Sequence, residues 1–317
     1  MITVKDLTKK YADRVALDSL SFAIPEGGVH GILGPRGAGK STLMSIISGC
    51  AAPDSGSVTV LDTDVVADPI TAKSRIGYLP EIPPLYEDMT ASELLTFVAE
   101  AKGVPGDRIE KNVNKAMELT YVDDLKNRLV RNIGTEERKF VGLAAAMLGN
   151  PDVILLDEPT AGLRGDSLAA MRELILQLGE MKTVIVSDAA LSEIRELCRD
   201  LVIISDGKKI AEGTVEELER RLNKTSALVL SVRGKEQTVI SALSGVDGII
   251  DCAITGRSKG VLSLKLEFEA EKEIRDATFA ALAEVGCPIL SMDTEALTLD
   301  DIYVKLAASA EKGESKK

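Results

Sequence analysis

Apolar and polar positions divide the first ~220 residues into alternating strand-like and helix-like segments. Val29 to Leu33 is a short, largely apolar run that leads into a glycine-rich stretch. Ser41 to Ile47 then has the three-to-four-residue apolar spacing of a helix, and Gly49 supplies a stop. Val153-Ile154-Leu155-Leu156 is a continuous apolar run of strand length, the pattern of a strand buried on both faces. Leu168, Met171, Leu174, Ile175 and Leu178 fall on one helix face. Thr183 to Ser187 and Leu201 to Ser205 read as two more buried strands. This alternation predicts an α/β domain with a mostly parallel sheet. Residues ~85–150 read as helical, with Thr90 and Glu93 forming a capping box ahead of a helix over Ala91 to Ala101.

After Gly213 a charged helix, Val215 to Leu222, precedes a change of character. From Ala227 the pattern runs strand, helix, strand, strand, helix, strand, which predicts a small ferredoxin-like α+β unit. A last helix is expected near Leu299 to Ala308, and a disordered tail over 311–317. The expected domains are 1–220, with a helical subdomain at about 85–150, and 221–310.

Composition narrows the function classes. The chain has 317 residues, 45% hydrophobic and 28% charged, in the range of a globular protein of one large or two ordinary domains. No apolar run approaches the ~20 residues that span a bilayer. Met1 to Asp6 lacks the apolar core of a secretory signal. A net charge of −12 argues against nucleic acid as the partner. Cys50, Cys198, Cys252 and Cys287 lie far apart and read as buried or idle thiols in a reducing compartment. The single histidine, His30, excludes a multi-histidine metal site and reads as a packing residue.

Two segments carry chemistry. Gly34-Pro35-Arg36-Gly37-Ala38-Gly39-Lys40-Ser41-Thr42 matches the phosphate-loop pattern G-x-x-x-x-G-K-[ST]. Its glycines let backbone N–H groups turn inward on phosphate oxygens, and the following helix adds its positive end. Lys40 is placed to reach the β and γ phosphates, and the Ser41 hydroxyl to hold Mg²⁺. Asp157-Glu158 follows the buried strand at Val153, at the carboxyl end where open α/β sheets bind ligands. Asp157 is a candidate Mg²⁺ partner through water, and Glu158 a candidate general base.

Together these residues resemble the nucleotide-binding subunit of an ATP-binding cassette (ABC) transporter, over residues 1 to ~220. Lys9-Lys10-Tyr11 looks like the loop whose aromatic stacks on adenine, and Pro53-Asp54-Ser55-Gly56 is similar to the family's link to the next strand. Ile76-Gly77-Tyr78-Leu79-Pro80-Glu81 resembles the loop into the helical subdomain. Leu156 to Leu163 is similar to Walker B and the loop after it. Gly207 to Gly213 resembles the end-of-domain hairpin. Pro83-Pro84-Leu85-Tyr86 resembles the surface that receives a permease's coupling helix. The C-terminal unit, ending Leu297 to Tyr303, looks like the accessory domain of exporter-type (ABC-2) subunits. The resemblance implies a P-loop NTPase cassette with ATP and Mg²⁺ as cofactors. It implies Tyr11 and the loop Gly34 to Thr42 on the nucleotide, and Ser41, Asp157 and Glu81 at the metal. Glu158 and Glu81 take the catalytic positions. It further implies membrane permease subunits as partners, a homodimer or a heterodimer with another cassette, and a cytoplasmic place at the inner face of the membrane.

The departures from the family cluster on catalysis. Where the signature Leu-Ser-Gly-Gly-Gln is usual, counting back from Val141 gives Ile133, Gly134, Thr135, Glu136 and Glu137. A shifted register puts Thr135 in the serine's place but requires a gap inside a helix. A carboxylate ~4 Å from a phosphate charge costs about 1 kcal/mol in water and about 4 at a surface-like dielectric. Arg138 and Lys139 offset part of this if they turn inward. Ala189 stands where the family has a γ-phosphate histidine, Arg164 where its Gly-Leu-Asp loop has the acid, and Glu81 where it has glutamine. The expected protein binds Mg-ATP and hydrolyses it slowly or not at all. Alternatives are a non-catalytic, ATP-gated regulatory subunit and a soluble cassette protein acting on nucleic acid or ribosomes. The last usually carries two cassettes or a long coiled-coil insert, and neither pattern occurs here.

Overall fold

The computed structural model describes residues 1–222, 225–258, 260–269 and 272–296. In chain order the strands are β1 (Ile2–Tyr11), β2 (Arg14–Ile24), β3 (Gly28–Leu33), β4 (Ser55–Val60), β5 (Thr63–Asp64), β6 (Ile76–Leu79), β7 (Val153–Asp157), β8 (Thr183–Asp188), β9 (Asp200–Ser205), β10 (Lys208–Thr214), β11 (Thr225–Arg233), β12 (Ile249–Ser258), β13 (Val261–Glu269) and β14 (Ile289–Ala296). The helices are α1 (Lys40–Ile47), α2 (Pro69–Ser74), α3 (Ala91–Ala101), α4 (Gly106–Leu119), α5 (Thr135–Met147), α6 (Gly165–Met181), α7 (Leu191–Leu197), α8 (Val215–Leu222), α9 (Glu236–Leu243) and α10 (Arg275–Glu284). They fall in two compact units, Met1–Val215 and one beginning at Glu216.

The first unit is built on a six-stranded sheet ordered β10-β9-β3-β8-β7-β6. Its strands run parallel except β10, which turns back on β9. All five residues of β7 and all six of β8 are buried, so their uninterrupted apolar runs reflect cover on both faces. A second, antiparallel sheet ordered β2-β1-β4-β5 was not among the sequence expectations. Its strands carry β-bulges that break strict alternation, and its closing partner β4 lies more than forty residues beyond β1 in sequence. Helix α1 lies between the two sheets. Leu43, Met44, Ile46 and Ile47 share one buried cluster with Ile2, Val4 and Val60 on one side and Val153, Leu155 and Ile185 on the other.

The expected helical region contains α3, α4 and α5. The capping box is present: the Thr90 Oγ1 accepts from the Glu93 N–H (3.2 Å), and the Glu93 carboxylate accepts from the Thr90 N–H (2.8 Å).

The second unit follows the predicted order β11, α9, β12, β13, α10, β14. Its antiparallel sheet is ordered β12-β13-β11-β14, the ferredoxin-like arrangement. Leu228, Leu230, Val232, Leu264, Leu266 and Leu282 form its core. The helix expected near Leu299 and the tail at 311–317 lie outside the described residues.

Candidate functional site

Strand β3 ends at Leu33, the phosphate loop occupies 34–39, and α1 begins at Lys40. The turn needs glycine at two places for steric reasons. Gly39 has φ +104°, and a Cβ there would lie 2.4 Å from the Ala16 carbonyl oxygen. A Cβ at Gly34 would lie 2.4 Å from the Ile204 carbonyl oxygen. The loop is thereby wedged between neighbouring strands and presents its outer backbone to a cavity of about 400 Å³. Of the residues expected at the nucleotide, Tyr11, Arg36, Gly37, Gly39, Lys40, Ser41, Thr42, Glu81 and Glu158 line that cavity. Gly34, Pro35 and Ala38 are buried behind it. Tyr11 is half exposed, with the Lys9 ammonium 5.4 Å from its ring centroid.

Lys40 is 5% exposed. Its ammonium donates to the carbonyls of Gly34 (2.8 Å) and Pro35 (3.3 Å) and lies 3.6 Å from the Glu158 carboxylate. Asp157 ends β7 opposite Ser187 on β8, and the Ser187 hydroxyl donates to its carboxylate. Asp157 is buried and does not line the cavity. Glu158 turns out of the strand in the left-handed region (φ +46°), its N–H donating to Ser187 O at 2.9 Å. Such a strained turn at a strand end is characteristic of functional sites.

Three residues to which the sequence assigned no role at the strand-end site contribute there. The Arg14 guanidinium donates to Gly37 O (2.8 Å) and lines the cavity, 23 residues from the loop it braces. Asp188, beside Ala189, is buried. Its carboxylate accepts from the Thr160 hydroxyl (3.2 Å) and the Ala190 N–H (2.7 Å). Burial pushes its pKa above the usual carboxylate range, the nearby Glu158 charge adds to this, and those hydrogen bonds oppose it. Lys139 reaches from α5 to the carbonyls of Glu158 (2.8 Å) and Pro159 (3.4 Å). The signal for Arg14 was its place just after Tyr11; for Asp188 and Lys139 no local pattern pointed to the site.

The signature-equivalent segment forms the start of α5. Glu137 folds back so that its carboxylate accepts from the Gly134 N–H (2.8 Å). Arg138 donates to Ile133 O (3.1 Å) and pairs with Glu87 (3.1 Å). Neither cation pairs with Glu136: Arg138 is tied to Glu87 and the Ile133 carbonyl, Lys139 turns inward to the Glu158 turn, and Glu136 lines a cavity of about 710 Å³ together with Asp124 and Asp166.

Pro83, Leu85, Tyr78, Leu94, Val98 and Ala145 line a third, mainly apolar cavity of about 470 Å³. Lys102 closes one side, its ammonium donating to the carbonyls of Ala145, Ala146 and Leu148 (3.2, 2.9 and 3.0 Å) at the end of α5. Burial pulls the Lys102 pKa from 10.5 down to about 8. The folded chain then holds fewer protons than the unfolded chain between those values, so stability rises with pH across that window. We expect the unfolding free energy of the wild type, read from urea titrations, to climb relative to Lys102→Met between pH 8 and 10, by at most about 3 kcal/mol. A flat or falling difference would contradict this.

His30 is buried, its Nε2 2.7 Å from Gly27 O and its Nδ1 3.4 Å from an Asp200 oxygen, away from the nucleotide cavity. Cys198 and Cys287 are buried, Cys252 is half-buried and Cys50 is exposed. No metal-binding cluster of His, Cys, Asp and Glu occurs among the described residues, and no described helix is long and apolar enough to cross a membrane.

A family model described as ABC transporter matches residues 17–161. NatA of Bacillus subtilis, an ABC transporter ATP-binding protein, is 35% identical over 224 residues, which cover 69% of this chain and 91% of NatA. The chain belongs to the ABC transporter ATP-binding family. The linearmycin resistance ATP-binding protein LnrL of Bacillus subtilis is 28% identical over 310 residues, 96% of this cassette's chain and 98% of LnrL. The probable multidrug ABC transporter ATP-binding protein YbhF of Escherichia coli is 29% identical over 318 residues; these cover 99% of this chain, which spans only 53% of YbhF. Among solved structures, an ATP-binding subunit of an ABC transporter superposes with a TM-score of 0.64 at 25% identity, covering 70% of this chain and 93% of its own. The dimeric structure of MJ0796, a bacterial ABC transporter cassette, does so at 0.63 and 25%, covering 68% and 98%. Cassettes of this family bind ATP with Mg²⁺. The lysine, hydroxyl and paired carboxylates gathered at the cassette's strand ends fit that pair of ligands.

Proposed function

We propose that this cassette is the ATP-binding subunit of an exporter-type ABC transporter, binding Mg-ATP and hydrolysing it weakly. The observation that carries the reading is the buried Lys40 ammonium, held by the phosphate loop and lying 3.6 Å from Glu158 at the wall of a cavity of nucleotide size. The glycine-rich loop and the start of α1 offer N–H groups to phosphate. Lys40 balances the phosphate charge, Ser41 and Asp157 hold Mg²⁺, directly or through water, and Glu81 stands beside them. Tyr11 offers its ring to the base. Glu158 is the only carboxylate aimed into the cavity from the Walker B turn, and so the candidate base for water. Residues 1–220 act as the ATP-binding domain and 221–310 as its accessory domain. Two copies, or this chain and a related cassette, work beneath membrane permeases at the inner face of the membrane.

The apolar cavity at Leu85 supports the permease partnership, because it offers an amphipathic helix a greasy seat with Tyr86 and Phe97 stacked edge-on beside it (5.5 Å). We expect the chain to co-purify with its permease in detergent, and Leu85→Asp to break that association while leaving Mg-ATP binding intact. Retention of the permease by Leu85→Asp argues against this seat. The departures at Glu136 and Ala189 favour a second reading, an ATP-gated regulatory subunit without pumping turnover of its own.

A further inference from the structure

Lys139 is a buried lysine on the first turns of α5, 8% exposed, whose ammonium leaves its own helix to bind the turn that carries Glu158. Burial pulls its pKa below the ordinary lysine value, and the negative field of Glu81, Glu158, Asp188 and Asp157 opposes that, so the ammonium bound to the Glu158 turn lies near the strand-end acids. Lys40 is the other cation at Glu158. Glu81 and Glu158 line the nucleotide cavity, Asp157 and Asp188 are buried at the same strand ends, and such a group of acids repels a triphosphate unless fixed positive charge lies among them.

We propose that Lys139 is a positioning residue for nucleotide binding. It anchors the left-handed Glu158 turn through the Glu158 and Pro159 carbonyls, and it supplies the interior positive charge that lets a site with these four carboxylates accept the terminal phosphate of ATP. The inference rests on the Mg-ATP reading above. Its chemistry is specific to the γ-phosphate end, because that end faces the strand-end carboxylates while the rest of the nucleotide lies along the loop. The backbone anchor and the charge are separable. Glutamine retains a donor for the carbonyls but loses the charge, and arginine retains the charge.

Calorimetric titration of the full chain with Mg-ATP and Mg-ADP tests this. Wild-type uptake of Mg-ATP is the control for the underlying reading; if the wild type takes up none, both that reading and this inference fall. Given that uptake, Lys139→Gln is expected to weaken ATP about tenfold, equivalent to about 1.4 kcal/mol. ADP should change less than twofold, and Lys139→Arg should restore most of the ATP affinity. A general packing defect would weaken ATP and ADP together, so an equal loss of both overturns the proposal, as does unchanged ATP affinity or failure of arginine to restore it. Lys139→Met, close to lysine in volume, serves if the glutamine chain does not fold. The Glu158 carbonyl still accepts from Ala161 N–H there (3.2 Å), so the turn keeps one of its hydrogen bonds.

Discussion

Lys40→Ala is expected to lower the affinity for Mg-ATP about 100-fold, a loss of about 2.7 kcal/mol, read by calorimetry. The Lys40 ammonium is held by two loop carbonyls and lies 3.6 Å from Glu158. Bound phosphate oxygens would replace those carbonyls as partners, in a pocket where the lysine is 5% exposed. A unit charge pair ~4 Å apart is worth about 4 kcal/mol at an effective dielectric of ~20, and the lost carbonyl contacts offset part of it. Removing the lysine also leaves Glu158 without its nearest positive partner, which adds repulsion toward the incoming phosphate. Two effects of the same sign make this a large change for a single truncation. Mg-ATP uptake by Lys40→Ala equal to that of the wild type would sink the functional reading, since no other group in the cavity reproduces a buried ammonium at the loop.

Hydrolysis is expected to be slow, at least about 100-fold below the ~10 per second typical of enzymes. Two local defects combine. At Ala189 a methyl group stands where a ring able to orient water is usual. At the start of α5, Glu137 is folded onto the Gly134 N–H, and Arg138 is tied to Glu87 and the Ile133 carbonyl. Glu136 therefore faces any phosphate brought by a partner chain with its charge uncompensated, and the repulsion disfavours the closed dimer that hydrolysis needs. Glu158→Gln should change the residual rate less than twofold, because the base is not limiting when water is poorly oriented. Ala189→His combined with Gly134→Ser, Thr135→Gly and Glu136→Gly should raise turnover at least about tenfold. Turnover at the common enzyme rate in the unaltered chain, or no gain on repair, would contradict this account.

The legible part of the site was the part written in consecutive residues. The phosphate loop announces itself because nine neighbouring positions must satisfy one turn, and Gly34 and Gly39 are where a side chain would strike backbone. Asp157 and Glu158 were legible because an acid after an uninterrupted apolar run marks the end of a buried strand. The gathering of four acids at the strand ends, the Arg14 brace and the Lys139 anchor were not legible. Each joins residues from different elements, and their spacing along the chain carries no period that a pattern can detect.

The alternation of buried runs and amphipathic helices determined by itself that the chain is α/β with a ferredoxin-like unit behind it, because the number of faces each element buries is written in its own side chains. The antiparallel sheet over α1 escaped that logic, since its bulged strands lose the two-residue period and find partners far away in sequence. Only the tertiary structure decided where the charges near Glu158 go. Arg138 and Lys139 are adjacent in sequence, yet one turns to Glu87 and the surface and the other toward the strand-end acids, because neighbouring positions on a helix point about 100° apart and meet different surroundings.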